Sequence, residues 1–193
     1  IDDAYAFALP ALEAVKLRRD QHLNDEEIAA LKTLDLRAKA YDQAVRFLAV
    51  RPRSVREVRQ KLQRYRSRQK ESLAETHINW VIDKLLAQEY LNDEEFARFW
   101  VEQRNQFKPL APRALRYELL RKGVADSLIE TVLEGAVDTD AAALQAARSQ
   151  AYRWRMLDED MYRKKMAAFL QRRGFSWAIV RDVLDQTWQE VLD

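Results

Sequence analysis

The stretch Leu115-Arg116-Tyr117-Glu118-Leu119-Leu120-Arg121-Lys122-Gly123, followed by Leu128-Ile129 and Val132-Leu133, decides the fold. Leu115 and Leu119 lie one helical turn apart, Gly123 ends the turn, and the later pairs restart helical spacing. The same pattern returns 51 residues on, as Met166, Leu170, Gly174, Ile179, Val180, Val183 and Leu184. Stepping back 51 from Ile129, Val132 and Leu133 gives Ile78, Val81 and Ile82. Val58 and Leu62 stand 57 residues before Leu115 and Leu119, so the first copy carries six extra residues. They fall in the polar stretch 66–71, where the other copies have a glycine turn. The chain is a tandem repeat.

Each copy reads as three helices. In the middle copy these are expected over 93–107, stopped by Pro109, over 112–122, ended by Gly123, and over 125–136. Asn92-Asp93-Glu94-Glu95 and Ser54-Val55-Arg56-Glu57 each place a capping side chain three residues before a Glu. A three-helix unit of this size has a thin core, and tandem stacking buries its faces more readily. The expected fold is all-α, with three-helix repeats over 37–89, 90–137 and 138–193 in an elongated molecule. Residues 1–36 are an N-terminal extension. In it Tyr5, Phe7 and Leu9 alternate with alanines as a short strand would, 10–19 reads as a short helix, and a capping box at Asn24 opens a helix expected to end near Leu34.

Composition excludes much. Three glycines and four prolines in 193 residues are too few for a sandwich, a barrel or a phosphate-binding glycine loop. With no Cys there is neither a disulfide nor a thiolate–metal site, which fits a reducing compartment, and a cytoplasmic location is expected. No apolar run approaches a membrane span and no signal peptide opens the sequence. Ile1 is not an initiator Met, so upstream residues are expected to be missing.

Catalytic chemistry is not in evidence. The carboxylate runs Asp25-Glu26-Glu27, Asp93-Glu94-Glu95 and Asp158-Glu159-Asp160 each fall in the first turn of an expected helix, where acids complement the dipole. His22 and His77 are the only histidines and sit 55 residues apart, and His77 reads as a surface residue. No enzyme activity, cofactor or metal is expected. Of the five tryptophans, Trp80, Trp100, Trp177 and Trp188 read as core. Trp154, between Arg153 and Arg155, stays open between core and base stacking.

Charge carries the remaining signal. The net charge is only +2, yet residues 37–70 hold twelve Lys/Arg against two acids, and 124–147 hold five acids and no base. Basic and acidic blocks alternate three times, with the basic residues on and around the second helices. Candidate binding residues are Arg51, Arg53, Arg56, Arg59, Lys61 and Arg64 in the first copy, and Arg113, Arg116, Arg121 and Lys122 in the second. Arg163, Lys164, Lys165, Arg172 and Arg173 hold that place in the third, with Arg172 and Arg173 the candidates. If the second helices align, they form an intermittent basic stripe suited to a polyanion or an acidic groove.

Three motifs resemble the RecX regulatory proteins. Arg51-Pro52-Arg53-Ser54-Val55-Arg56-Glu57-Val58-Arg59-Gln60-Lys61-Leu62 is similar to the family's R-x-R-S-x-x-E-[LV]-x-x-K-L. Tyr90-Leu91-Asn92-Asp93-Glu94-Glu95-Phe96-Ala97 through Arg104 is similar to Y-[LI]-[ND]-D-x-x-[FY]-A ending in Arg, and Leu115 to Val124 is similar to L-x-x-E-L-x-x-K-G-[IV]. The resemblance covers residues 37–192. Glu89 departs from it, standing where the family usually has Gly, and Leu110-Ala111-Pro112 replaces a glycine before the second helix. The resemblance implies a curved, elongated, monomeric all-α protein that binds RecA–DNA filaments. It also implies that the protein modulates, usually inhibits, the recombinase, ATPase and coprotease activities of RecA. The alternative is a sequence-independent binder of single- or double-stranded DNA that acts by competing for the DNA.

Overall fold

The computed structural model describes residues 14–18, 20–65 and 72–192, and within them the architecture is all-α, with nine helices. The expected strand at Tyr5, Phe7 and Leu9 and the polar insert 66–71 lie outside the described residues, as does half of the expected helix over 10–19. The chain divides into two compact units, residues 1–92 and 93–193.

The first unit holds α1 (Asp25–Leu48), α2 (Val55–Gln63) and α3 (Glu75–Ala87). Asn24 caps α1 with a complete capping box: its side chain accepts from the Glu27 N–H, and the Glu27 carboxylate accepts from the Asn24 N–H. The helix expected to stop near Leu34 instead continues to Leu48. No Gly or Pro interrupts residues 25–48, and Asp35 near the expected end is tied to Lys39 one turn on, at 2.5 Å. Ala40 and Ala44 let α1 approach Val58 and Leu62 of α2 and Ile78, Val81, Ile82 and Leu85 of α3, and Leu73 and Leu91 close this core.

The second unit holds two repeats, each with its own buried cluster. α4 (Asp93–Phe107), α5 (Pro112–Arg121) and α6 (Asp126–Leu133) enclose Phe96, Val101, Leu115, Leu119, Ile129 and Val132. α6 is shorter than the expected 125–136 because its cap residue, Glu134, already turns extended at ψ 112. α7 (Thr139–Trp154), α8 (Glu159–Arg172) and α9 (Trp177–Leu192) enclose Tyr162, Met166, Leu170, Phe175, Val180 and Val183. The fully or nearly buried residues of α7 there are all alanines (Ala142, Ala143, Ala146, Ala147 and Ala151), so its backbone lies close to the large side chains of α8 and α9, and its Leu144 and Trp154 pack on the edge of the cluster. The carboxylate runs stand where the dipole argument places them, in the first turns of α1, α4 and α8, with Asp158 as the α8 cap.

The two repeat glycines end their helices alike. At Gly123, φ +86, the Gly123 N–H reaches the Leu120 carbonyl and the Val124 N–H reaches that of Leu119. At Gly174, φ +89, the corresponding bonds run to Gln171 and Leu170. Val124 and Phe175 are buried beyond the turns, the apolar contact that completes this type of cap.

α3 ends through the same bonds, Glu89 N–H to Leu86 and Tyr90 N–H to Leu85, with Glu89 in the left-handed region at φ +57. A residue with a Cβ pays about 1–2 kcal/mol there, part of which Gly returns through its freer unfolded chain. Glu89→Gly is therefore expected to raise stability by about 0.5–1 kcal/mol, read as a higher urea midpoint at unchanged m. An unchanged or lower midpoint would mean that the Glu89 side chain contributes something the turn geometry does not show.

Candidate nucleic-acid and partner interface

The entry to α2 is built by its own motif. Ser54, fully buried, caps the helix by accepting from the Glu57 N–H at 3.2 Å. The Glu57 carboxylate receives both terminal nitrogens of Arg51, at 3.2 and 3.3 Å, and Arg51 also donates to the Pro52 carbonyl at 2.7 Å. Arg53 lies half-buried with its guanidinium 4.0 Å from the Phe47 ring centroid. Its pKa is lowered by burial first and then by the Arg51 charge. Arg51 and Arg53 thus serve the fold at this point, and Lys61 leans over the same ring at 5.7 Å.

A second group clamps helices within a repeat. Arg59 of α2 bonds Glu75 and Asn79 of α3, and Arg116 of α5 bonds Asp126 and Glu130 of α6. These are equivalent positions: Arg59 precedes Arg116 by 57 residues, and Glu75 and Asn79 precede Asp126 and Glu130 by 51. The acidic third helix therefore neutralises part of the basic second helix it packs on, and the Glu130 hydrogen bond, with the Asp126 charge behind it, raises the Arg116 pKa. The third repeat has Ala167, Trp177 and Arg181 at these positions, so its clamp shifts to Arg163 of α8, which bonds Asp185 of α9 at 2.7 Å, and Trp177 is 59% exposed rather than core.

What remains is regular. Arg56, Arg113 and Lys164 are equivalent, and so are Arg64, Arg121 and Arg172. All six are exposed, and among the described residues none makes an ion pair. Each second helix thus presents two cations eight residues apart, in all three repeats. The other candidates are held by aromatics. Lys122 and Arg104 lie over Trp100 at 4.7 and 4.6 Å, and Glu118 accepts from both Trp100 Nε1 (2.8 Å) and Arg104 (2.7 Å). Arg173 stacks on Phe169 at 4.3 Å and donates to the Pro109 carbonyl at 3.0 Å, and burial lowers its pKa.

In the second unit the cations of two repeats meet. Arg113, Ala114 and Tyr117 of α5 and Gln171, Arg172, Gly174 and Phe175 at the end of α8 line one shallow groove of about 360 Å³. Its floor is close-packed: the Ala111 N–H donates to the Arg173 carbonyl at 3.0 Å, and Gly174 faces Ala114. Tyr117, which the sequence reading passed over, is 62% exposed, with Arg121 5.7 Å above its ring. Its signal was present: Arg113 and Arg121 stand four residues either side, one helical turn each.

The structure decides Trp154, which the sequence leaves open, and corrects the reading of His77. Trp154 belongs to the core, edge-on to Phe169 at 5.8 Å, so it is not a stacking platform. His77 is half-buried rather than on the surface, its Nδ1 accepting from Arg37 Nε at 3.2 Å, and burial, then the Arg37 charge, lowers its pKa.

Fold and surface together define a tandem three-helix-repeat protein with a recurrent cationic face. Comparison with known proteins narrows the class. The first, second and third three-helix domains of RecX match residues 40–66, 92–133 and 138–184. Regulatory protein RecX of Chlorobium phaeobacteroides is 33% identical over 78% of this chain and 95% of its own. That of Bacillus subtilis is 30% identical over 96% of this chain and 70% of its own. A crystal structure of regulatory protein RecX superposes with a TM-score of 0.71 at 24% identity, covering 96% of this chain and 92% of that one, and agrees in fold. The chain belongs to the RecX family of regulatory proteins. No helix among the described residues is long and apolar enough to cross a membrane.

Proposed function

We propose that this protein is a non-catalytic, cytoplasmic modulator that acts as a monomer, binds RecA–DNA filaments and restrains RecA's ATPase, strand-exchange and coprotease activities. One observation carries the reading: a RecX-family chain presents the same exposed, unpaired cation pair on the second helix of each repeat. Exposed charge that recurs at equivalent positions three times, with no ion pair among the described residues, supports a contact outside the fold. A repeated pair suits a partner that is itself repetitive and anionic. Arg56, Arg64, Arg113, Arg121, Lys164 and Arg172 are the proposed contacts, with the remaining sequence candidates supporting the helices that carry them.

Co-sedimentation tests the binding step. RecA filaments assembled on oligothymidylate are expected to carry the protein into the pellet at concentrations where the oligothymidylate alone retains little of it. Retention that is the same with and without RecA would make DNA the whole partner.

A further inference from the structure

We propose that the groove between α5 and the end of α8 binds single-stranded nucleic acid, with one unpaired base against Tyr117 and the flanking phosphates on Arg113 and Arg172. The inference goes beyond filament modulation and needs no RecA. Three features of the groove point to this occupant. Tyr117 is 62% exposed, and Arg121, 5.7 Å from the ring centroid, stands over one face of the ring, so the base is assigned to the other. Arg113 and Arg172 are exposed, come from different repeats, line the same groove and make no ion pair among the described residues. No carboxylate lines the groove, and the first turn of α5, which does line it, carries no acid. A phosphate entering meets no carboxylate on the lining, and the positive end of α5 adds to the attraction.

Charge alone would suit any polyanion. Tyr117 narrows the choice, because an exposed aromatic between arginines gains most from a base that is free to leave its own stack. Bases in a duplex stay stacked and cannot reach it, so the groove selects single strands. An acidic protein segment fits less well, since the lining is shallow and has no deep apolar pocket for an anchoring side chain. Gln171, also exposed on the lining, is placed to meet a base edge.

Fluorescence anisotropy of the full chain without RecA tests the site, using a labelled oligothymidylate of about 15 nucleotides and a duplex of equal length. The single strand is expected to bind more tightly than the duplex. Tyr117→Ala should weaken single-strand binding about tenfold while Tyr117→Phe keeps it, because the ring and not the hydroxyl stacks. Arg113→Gln with Arg172→Gln should flatten the salt dependence by about 1.4 in log–log slope, the value for two lost phosphate contacts on a single strand. Tyr117 is largely exposed, so the melting temperature should hold in both Tyr117 variants. Equal binding of the single strand by Tyr117→Ala and the parent would overturn the proposal. So would equal binding of duplex and single strand, no binding of oligothymidylate at all, or tighter Tyr117-dependent binding of a polyglutamate peptide. Each of these can occur with filament co-sedimentation intact, so this site and the modulation reading fail separately.

Discussion

Gly174→Val is expected to lower the melting temperature by roughly 5–15 °C. Two costs add. At φ +89 a side chain with a Cβ is strained by about 1–2 kcal/mol. A Cβ placed there would also stand 3.0 Å from the Ala114 Cβ and 3.4 Å from the Ala114 nitrogen, and overpacking of that kind costs about 1–3 kcal/mol more. In a chain of this length each kcal/mol shifts the midpoint by about 2–4 °C. The clash couples the turn after α8 to α5, so a double-mutant cycle can isolate it. Ala114→Gly should recover part of the loss in Gly174→Ala beyond what the single substitutions add up to, and the recovered part is the contact energy. A melting temperature within about 2 °C of the parent for Gly174→Val would mean the turn relaxes freely, and the packing of α5 on this turn would lose its structural role.

Arg56→Glu with Arg64→Glu is expected to weaken inhibition of RecA on the order of tenfold or more while leaving the melting temperature nearly unchanged. Both side chains are exposed and make no ion pair among the described residues, so their reversal breaks nothing in the fold. Across an anionic surface, each reversal turns an attraction into a repulsion, and about 1.4 kcal/mol in total is already tenfold. Arg59→Glu is the contrast. It sets a carboxylate against Glu75 and removes the bond to Asn79, so it should lower the melting temperature. Full inhibition by a folded Arg56→Glu, Arg64→Glu double variant would remove the first repeat's cation pair from the interface.

The architecture was legible because its period is written in core residues. Leu115, Leu119, Ile129 and Val132 are buried, and so are their equivalents Met166, Leu170, Val180 and Val183. Burial tolerates few residue types, so the pattern survives in the sequence. Helix ends were less legible. No stop signal stands near Leu34, the Asp35–Lys39 pair favours going on, and packing of Ala40 and Ala44 against α2 and α3 carries one helix to Leu48. The site was half legible. Counting charges found the basic helices, but a count cannot separate Arg56, which faces solvent, from Arg59, which spans to α3, or from Arg53, which lies over Phe47. That division depends on the acids and rings that folding brings near. Trp177 was misread for a related reason: at the matching position of the second repeat Asp126 answers Arg116, whereas Ala167 gives Trp177 no such partner.

The most direct measurement is RecA's ATPase on filaments already assembled on single-stranded DNA, titrated with this protein. Docking through recurrent cation pairs predicts inhibition at molar ratios well below those that would coat the DNA, with the Arg56→Glu, Arg64→Glu variant shifted to higher ratios. Inhibition that begins only as the protein covers the DNA, and that follows its affinity for free DNA, would contradict the proposed function.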